Sequence, residues 1–280
     1  MDDLSTKELK ALLESALKLA QKGGAVLKKH WGNLQNISHK DNSIDLVTDA
    51  DQASERTMLR FLKNKHPSHS ILSEEIGWHE VQDAEFLWIM DPLDGTTNFT
   101  HQYPMVSVSI GLLFQGIPLV GVVYNPILKE LFYAARGLGA FLNKAKITVS
   151  NTNSLDASLL ASGFPYDRRK NKDNNYSEFC LLTHLSQGVR RGGSAALDLA
   201  YVAAGKFDGY WERGIKPWDV AGGIVLVQEA GGLISAYDQS AFKIDSGMIL
   251  ASNGHIHAVL SDKILQARAI LEKNNRSNGG

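Results

Sequence analysis

The chain has a single cysteine, Cys180, in 280 residues. That excludes an internal disulfide and any cysteine-rich metal centre, and leaves Cys180 itself as a buried or idle thiol. Long apolar runs are also missing. No uninterrupted stretch approaches the ~18–20 residues that a membrane-spanning helix needs. Neither sign of charge dominates: 29 Lys and Arg against 30 Asp and Glu leave a formal net charge of −1. Bulk attraction to nucleic acid or to an anionic membrane is therefore not indicated, and only local patches remain open. The start, Met1-Asp-Asp-Leu-Ser-Thr6, lacks the basic opening and apolar core of a signal peptide, so a cytoplasmic protein is expected. No internal repeat is present. What is there is ordinary globular material, 44% hydrophobic and 21% charged, long enough for one large domain or two packed lobes.

Apolar residues at helical spacing predict helices over 5–30 and 51–65, the second stopping short of Pro67. Short apolar runs follow at 70–72, 86–90, 106–113, 119–124, 131–134 and 139–142. Turn residues between the later runs suggest an antiparallel meander. After residue 150 the rhythm changes to a strand at 158–162, helices at 173–187, 194–205 and 219–231, strands near 233–237 and 248–252, and a closing helix at 255–273. The expected fold class is α+β, with a strand-rich half (1–150) joined to an α/β half (151–273) and a disordered tail (274–280).

The chemistry concentrates in acids. Phe86-Leu-Trp-Ile-Met90 is an apolar strand running into Asp91-Pro-Leu-Asp-Gly-Thr-Thr97. Asp91 and Asp94, three apart across a turn, can turn both carboxylates on one site with the Leu93 carbonyl between them. Such all-oxygen sets suit Mg²⁺ or Mn²⁺. Taken alone, Asp-x-x-Asp-Gly is most often a capped turn. Three other segments weigh against that here: Glu74-Glu75 after a short strand, Asp45-Leu-Val-Thr-Asp-Ala-Asp51 before a helix, and Lys216-Pro-Trp-Asp219 where an N-cap falls. Each has its own ordinary explanation as a cap or a solvated acid. Trp218 is expected in the core, and His101 is read as a structural or surface histidine rather than a general acid.

These segments, in this order, resemble the inositol monophosphatase family of Mg²⁺-dependent, Li⁺-sensitive phosphatases. The resemblance rests on Asp45–Asp51, Ser73-Glu-Glu75, Trp88-Ile-Met-Asp-Pro-Leu-Asp-Gly-Thr-Thr-Asn-Phe99 and Trp218-Asp-Val-Ala-Gly222, with Gly111–Tyr124 and Arg190–Ala196 also fitting. It implies a layered αβαβα sandwich of the inositol monophosphatase/fructose-1,6-bisphosphatase type, usually a homodimer. It also implies two or three Mg²⁺ ions held by Glu74, Asp91, Asp94, Asp219 and the Leu93 carbonyl. By the same resemblance Asp51 and Thr96 orient and deprotonate the attacking water, with Glu74 assisting through its metal, and the Gly95 and Thr96 N–H groups contact phosphate. Gly193, Ser194, Ala195, Glu212 and Lys216 would face the substrate, while Lys40, Arg190 and Arg191 would form a basic rim.

Two features point within the family toward bacterial members: Lys216 stands where animal inositol phosphatases carry histidine, and Gly163-Phe-Pro-Tyr-Asp167 has a bacterial look. The expected reaction is hydrolysis of a small phosphate monoester, a phosphorylated polyol such as myo-inositol 1-phosphate. Fructose 1,6-bisphosphate, NADP, histidinol phosphate and 3′-phosphoadenosine 5′-phosphate are the alternatives. A regulatory protein that works through a protein or RNA partner is the alternative of another class.

Overall fold

The structure, a computed structural model, describes residues 4–39 and 46–277. Lys40 and Asp45 lie outside them. The chain opens with α1 (Thr6–His30), whose first turn is closed by Ser5 and Glu8 in a reciprocal capping box. A small hairpin of β1 (Ile37–His39) and β2 (Leu46–Thr48) leads into α2 (Asp49–Lys65). Then come β3 (Ser70–Ser73), β4 (Gly77–His79), β5 (Phe86–Asp94) and the short α3 (Thr96–Thr100). The expected meander follows as β6 (Ser107–Phe114), β7 (Ile117–Asn125), β8 (Glu130–Ala135), β9 (Gly139–Leu142) and β10 (Ala145–Ile147). The order β10-β9-β8-β7-β6-β5-β3-β4 makes one eight-stranded sheet, antiparallel except where β3 runs parallel to β5.

The second half contains β11 (Leu159–Ser162), α4 (Tyr176–Leu185), β12 (Gly188–Arg190), α5 (Ala195–Ala203), β13 (Gly209–Arg213), α6 (Pro217–Glu229), β14 (Leu233–Ser235), β15 (Met248–Ser252) and α7 (His257–Ser277). Its sheet is ordered β12-β11-β13-β15-β14, with β11 parallel to both its neighbours. The backbone is helical through 274–277, where the sequence suggested a disordered tail; 278–280 lie outside the described residues.

The layers are α1 with α2, the large sheet, α5 with α6, the small sheet, and α4 with α7, an αβαβα sandwich. Along β7 successive side chains divide between two cores. Val120 and Val122 pack toward α1 and α2, and Val123 packs toward α5 and α6. A strand buried on both faces carries no polar alternation, which is why 119–124 reads as almost continuously apolar.

Close backbone approach seats α6 on this sheet. A Cβ on Gly121 would lie 2.2 Å from the Gly222 carbonyl oxygen, and one on Gly111 would lie 2.5 Å from the Ala221 Cβ. Only glycine lets a helix and a strand come this near. The seat matters because α6 carries Asp219 in its first turn.

Candidate active site

Three elements of the first half and one of the second bring the acids together. β5 does not stop at Asp91 as expected but continues to Asp94, with its register against β6 broken between those two residues. The irregularity lets both carboxylates turn off one strand. Asp91 Oδ1 accepts from the Leu93 N–H at 2.9 Å. Asp94 Oδ2 accepts from Ser194 Oγ at 2.5 Å and from the Ala196 N–H at 2.9 Å, which ties β5 to the start of α5. Asp219 is not the N-cap of its helix. Pro217 takes the first helical position, and Asp219 Oδ2 accepts from the Lys216 N–H at 2.6 Å. Glu74 follows β3, the parallel neighbour of β5.

The electrostatics show how crowded the acids are. Burial pushes Asp91 well above the ordinary carboxylate range, and Glu74, Asp94 and Asp219 push it further. Asp219 rises for the same reasons, burial first and then Asp94 and Glu74. Asp94 reaches only about 6, because Ser194 and Ala196 offset its burial. Carboxylates that raise one another this way become fully ionised together only with a cation between them. Among the described residues no three His, Cys, Asp or Glu side chains already close around one ion. Asp91, Asp94 and Asp219 instead each rest on donors of their own. The donor set of four carboxylates and the Leu93 carbonyl is nonetheless all oxygen and strongly anionic, and so fits a hard divalent ion.

Beside this cluster the Thr96 hydroxyl lies 3.0 Å from Asp51 Oδ1 and 3.2 Å from the Leu93 carbonyl oxygen. Asp51 is inside the first turn of α2, not ahead of it. Thr48 is the N-cap, and its N–H (2.8 Å) and hydroxyl (2.5 Å) both donate to Asp51 Oδ2. Burial lifts the Asp51 carboxyl to about 7 against those two bonds.

The residues expected to face the substrate divide. A Cβ on Gly95, whose φ is +93°, would lie 3.2 Å from the Gly193 carbonyl oxygen, so the aspartate motif abuts the 190–196 segment. Asn98 Nδ2 clamps the two together through the Met105 and Gly192 carbonyls. Ser194 is buried, and its hydroxyl is engaged with Asp94 and with the N–H of Leu197 as the cap of α5. Ala195, next to it, opens that helix. Glu212, near the end of β13, accepts from Tyr210 Oη at 2.5 Å and lies flat on Gly163, where a Cβ would meet its carboxylate at 2.0 Å. Burial raises Glu212 to about 7, against the Tyr210 hydrogen bond and then the charges of Arg191 and Arg168. Arg190, Arg191 and Lys216 are exposed. His101 is exposed, Trp218 packs on Leu72, Ile89 and Leu113, and Cys180 is exposed on α4 rather than buried.

Two further residues of this region belong to none of the sequence motifs. Glu55, four residues along α2 from Asp51, accepts from Ser73 Oγ and from the N–H groups of Glu75 and Ile76, so it shapes the turn that carries Glu74. The i, i+4 spacing of two acids on one helix face was the available signal. Asp198, buried in α5 with Oδ1 unpartnered, gave none, being one polar residue within an apolar helix.

The family model for the inositol monophosphatase family matches residues 8–272. The chain belongs to that family. With it, the chain is a phosphoric monoester hydrolase. An inositol-1-monophosphatase of Synechocystis sp. is 56% identical over 260 residues, 93% of this chain and 91% of that protein. The structure of an inositol monophosphatase from Anabaena (Nostoc) sp. superposes with a TM-score of 0.85 at 53% identity, covering 92% of this chain and 96% of that one. The Nus factor SuhB of Pseudomonas aeruginosa is 41% identical over 250 residues, 88% of this chain and 92% of its own. These inositol monophosphatase relatives share the chain over nearly its whole length, so the family reading applies to both sheets.

Proposed function

We propose that this enzyme hydrolyses a small phosphorylated polyol, myo-inositol 1-phosphate first among candidates, in a Mg²⁺-dependent reaction. The observation that carries the reading is the Thr96 hydroxyl resting on Asp51 Oδ1, at 3.0 Å, beside the carboxylate cluster. Glu74, Asp91, Asp94, Asp219 and the Leu93 carbonyl are the groups that would hold the metal. When bound, Mg²⁺ supplies the positive charge that offsets their repulsion and stabilises charge developing on the phosphoryl group.

The chain's own residues do the rest. Gly95 and Thr96 N–H groups orient the phosphate at the start of α3. A water hydrogen-bonded to Thr96 Oγ1 attacks phosphorus in line, and its proton passes through that hydroxyl to Asp51 Oδ1. A carboxyl lifted to about 7 by burial is well matched to accept it near neutral pH. The leaving alkoxide takes its proton from solvent. Glu212 accepts hydrogen bonds from substrate hydroxyls, with Gly193 and Ala195 forming the wall beside it. Supporting the substrate is the 56% identity with a protein named inositol-1-monophosphatase.

The test is phosphate release from inositol 1-phosphate, fructose 1,6-bisphosphate, NADP, histidinol phosphate and 3′-phosphoadenosine 5′-phosphate, with Mg²⁺ and with EDTA. Thr96→Ala is expected to fold and to lose about 10²–10⁴-fold in kcat. Wild-type inactivity on the whole panel, or activity untouched by EDTA, would overturn the reading. The Nus factor relative supports a second role in a regulatory complex. An Asp94→Asn chain separates the two, since it is expected to lose hydrolysis and to keep any partner.

A further inference from the structure

The outer α1–α2 layer holds charge unlike the rest of the molecule. The chain as a whole is balanced at −1. Yet α1 contributes six exposed lysines and α2 four exposed Lys and Arg, against two exposed acids, Glu8 and Glu14. Glu8 is occupied with Ser5, and Glu14 with Lys18 at 2.5 Å. The opposite outer layer is different: Arg268 of α7 is neutralised by Asp173 and Glu178.

Between the two helices runs a groove of about 550 Å³ lined by Lys22, Thr57, Arg60, Phe61, Asn64 and Lys65. Its floor is aromatic. The ammonium groups of Lys22 and Lys65 stand 5.7 and 5.6 Å from the Phe61 ring centroid. Lys22 therefore leans on a ring rather than on a carboxylate, and Lys65 leans on the same ring while also lying within the field of Glu14 across the groove, so that both ammonium groups can still turn to an anion. Lys18 and Lys22, like Arg56 and Arg60, are one helical turn apart, about 6 Å along the axis, and so present two rows of charge flanking the groove.

The occupant follows from what this face lacks. None of the large exposed hydrophobic residues belongs to α1 or α2. A protein partner would want an apolar centre to its interface, and a membrane would want apolar side chains to bury. A basic groove with an aromatic floor and no large exposed hydrophobic side chain on either helix is instead the arrangement that tracks the backbone of single-stranded nucleic acid. We propose that the α1–α2 groove binds single-stranded nucleic acid, with Lys22, Arg60 and Lys65 contacting successive phosphates across Phe61. The site is separate from the chemistry: Lys65 lies about 21 Å along α2 from Asp51. It stands or falls independently of the phosphatase reading.

Fluorescence anisotropy of a labelled 20-nucleotide oligouridylate tests this with the full chain. Binding is expected at 50 mM salt, with a log–log salt slope of at least about −2 in magnitude for three phosphate contacts. Lys22→Gln/Arg60→Gln/Lys65→Gln together should weaken it at least tenfold and flatten the slope, leaving phosphate release unchanged. Arg60→Glu is the independent single-site version. Lys144→Gln/Lys146→Gln, on exposed positions elsewhere, should bind as wild type. The proposal is overturned if the wild type does not bind at 50 mM salt, or if the groove variants bind as well as it does. Equal displacement by poly-glutamate at matched charge would also overturn it, assigning the face to acidic polypeptide.

Discussion

Replacing Gly121 by alanine asks whether the seat of α6 sets the active site. The new Cβ would fall 2.2 Å from the Gly222 carbonyl oxygen and 2.9 Å from the Val225 Cβ, both on α6. The obstacle is backbone, so no rotamer change relieves it. The helix must retreat by at least about 0.8 Å to restore the 3.0 Å that Cβ atoms respect. Overpacking of this kind costs about 1–3 kcal/mol. Asp219 lies three residues from Gly222 on the same rigid helix and moves with it, and a displacement near 1 Å at a catalytic group costs about 10²-fold in rate. Urea unfolding should show a lower midpoint at unchanged slope. Phosphate release at saturating Mg²⁺ should show kcat reduced about a hundredfold. Gly23→Ala is the control: its Cβ meets the Met58 sulfur at 2.8 Å, part of a flexible side chain rather than backbone, within a helix where alanine is favoured by about 1 kcal/mol. If Gly121→Ala loses stability but keeps wild-type kcat, the seat of α6 does not position Asp219 and the reasoning fails.

Three other outcomes are expected. Glu212, raised to about 7 by burial, is ionised only above that pH. KM for a polyol phosphate should therefore fall as pH rises through 7, and Glu212→Gln should abolish the dependence; an unchanged profile in the variant excludes Glu212 as the acceptor. Asp198 is buried with Oδ1 unpartnered, and its carboxyl is raised well above the usual range by burial and then by Glu212. The unfolded chain ionises it first, so it costs stability as pH rises above its unfolded value. Asp198→Asn should stabilise the fold at pH 8 by about 1 kcal/mol in urea titrations, and a loss of stability there would contradict this. His69 accepts from Trp88 Nε1 at 3.0 Å and is lowered to about 4, chiefly by burial and then by His66. Between its unfolded value of 6.5 and about 4 the unfolded state binds more protons, so stability should decline by about 1–2 kcal/mol as pH falls through that window, after discounting for partial exposure. His69→Gln should flatten the decline.

Much of this was visible in the order of residues. The meander shows because β6 and β7 are long and end in turn residues, and α1 because its apolar period is uninterrupted. β13 was missed. Gly-Tyr-Trp-Glu-Arg is five residues with charges at one end, yet it is central in the small sheet and carries Glu212. Its burial comes from β11, β15 and α5, none of which its own pattern reveals. The helix expected from 173 starts at Tyr176, because Asn175 adopts a φ of +67° and its side chain is held by the Gly163 carbonyl. The acids themselves were legible by type and spacing. Their local duties were not: Asp219 and Asp51 read as residues ahead of helices, and both lie within the first turn because Pro217 and Thr48 fix where those helices begin.

The position of α6 between the sheets has a consequence for synthesis. The last strand of the large sheet ends at Ile147, but of the two helices that cover its inner face α5 begins at Ala195 and α6, which runs across β5 to β8, only at Pro217. At about 5–20 residues per second, a growing chain carries that face without α6 for roughly 4–14 s. Val123, Phe132 and Ala134 are the side chains left waiting. The first half is thus expected to emerge as a sticky intermediate that relies on chaperones, not as a lobe that folds by itself. A fragment of residues 1–150 should bind a hydrophobic dye and unfold without a cooperative transition. A soluble fragment with a sharp urea transition would show that the two halves fold in succession after all.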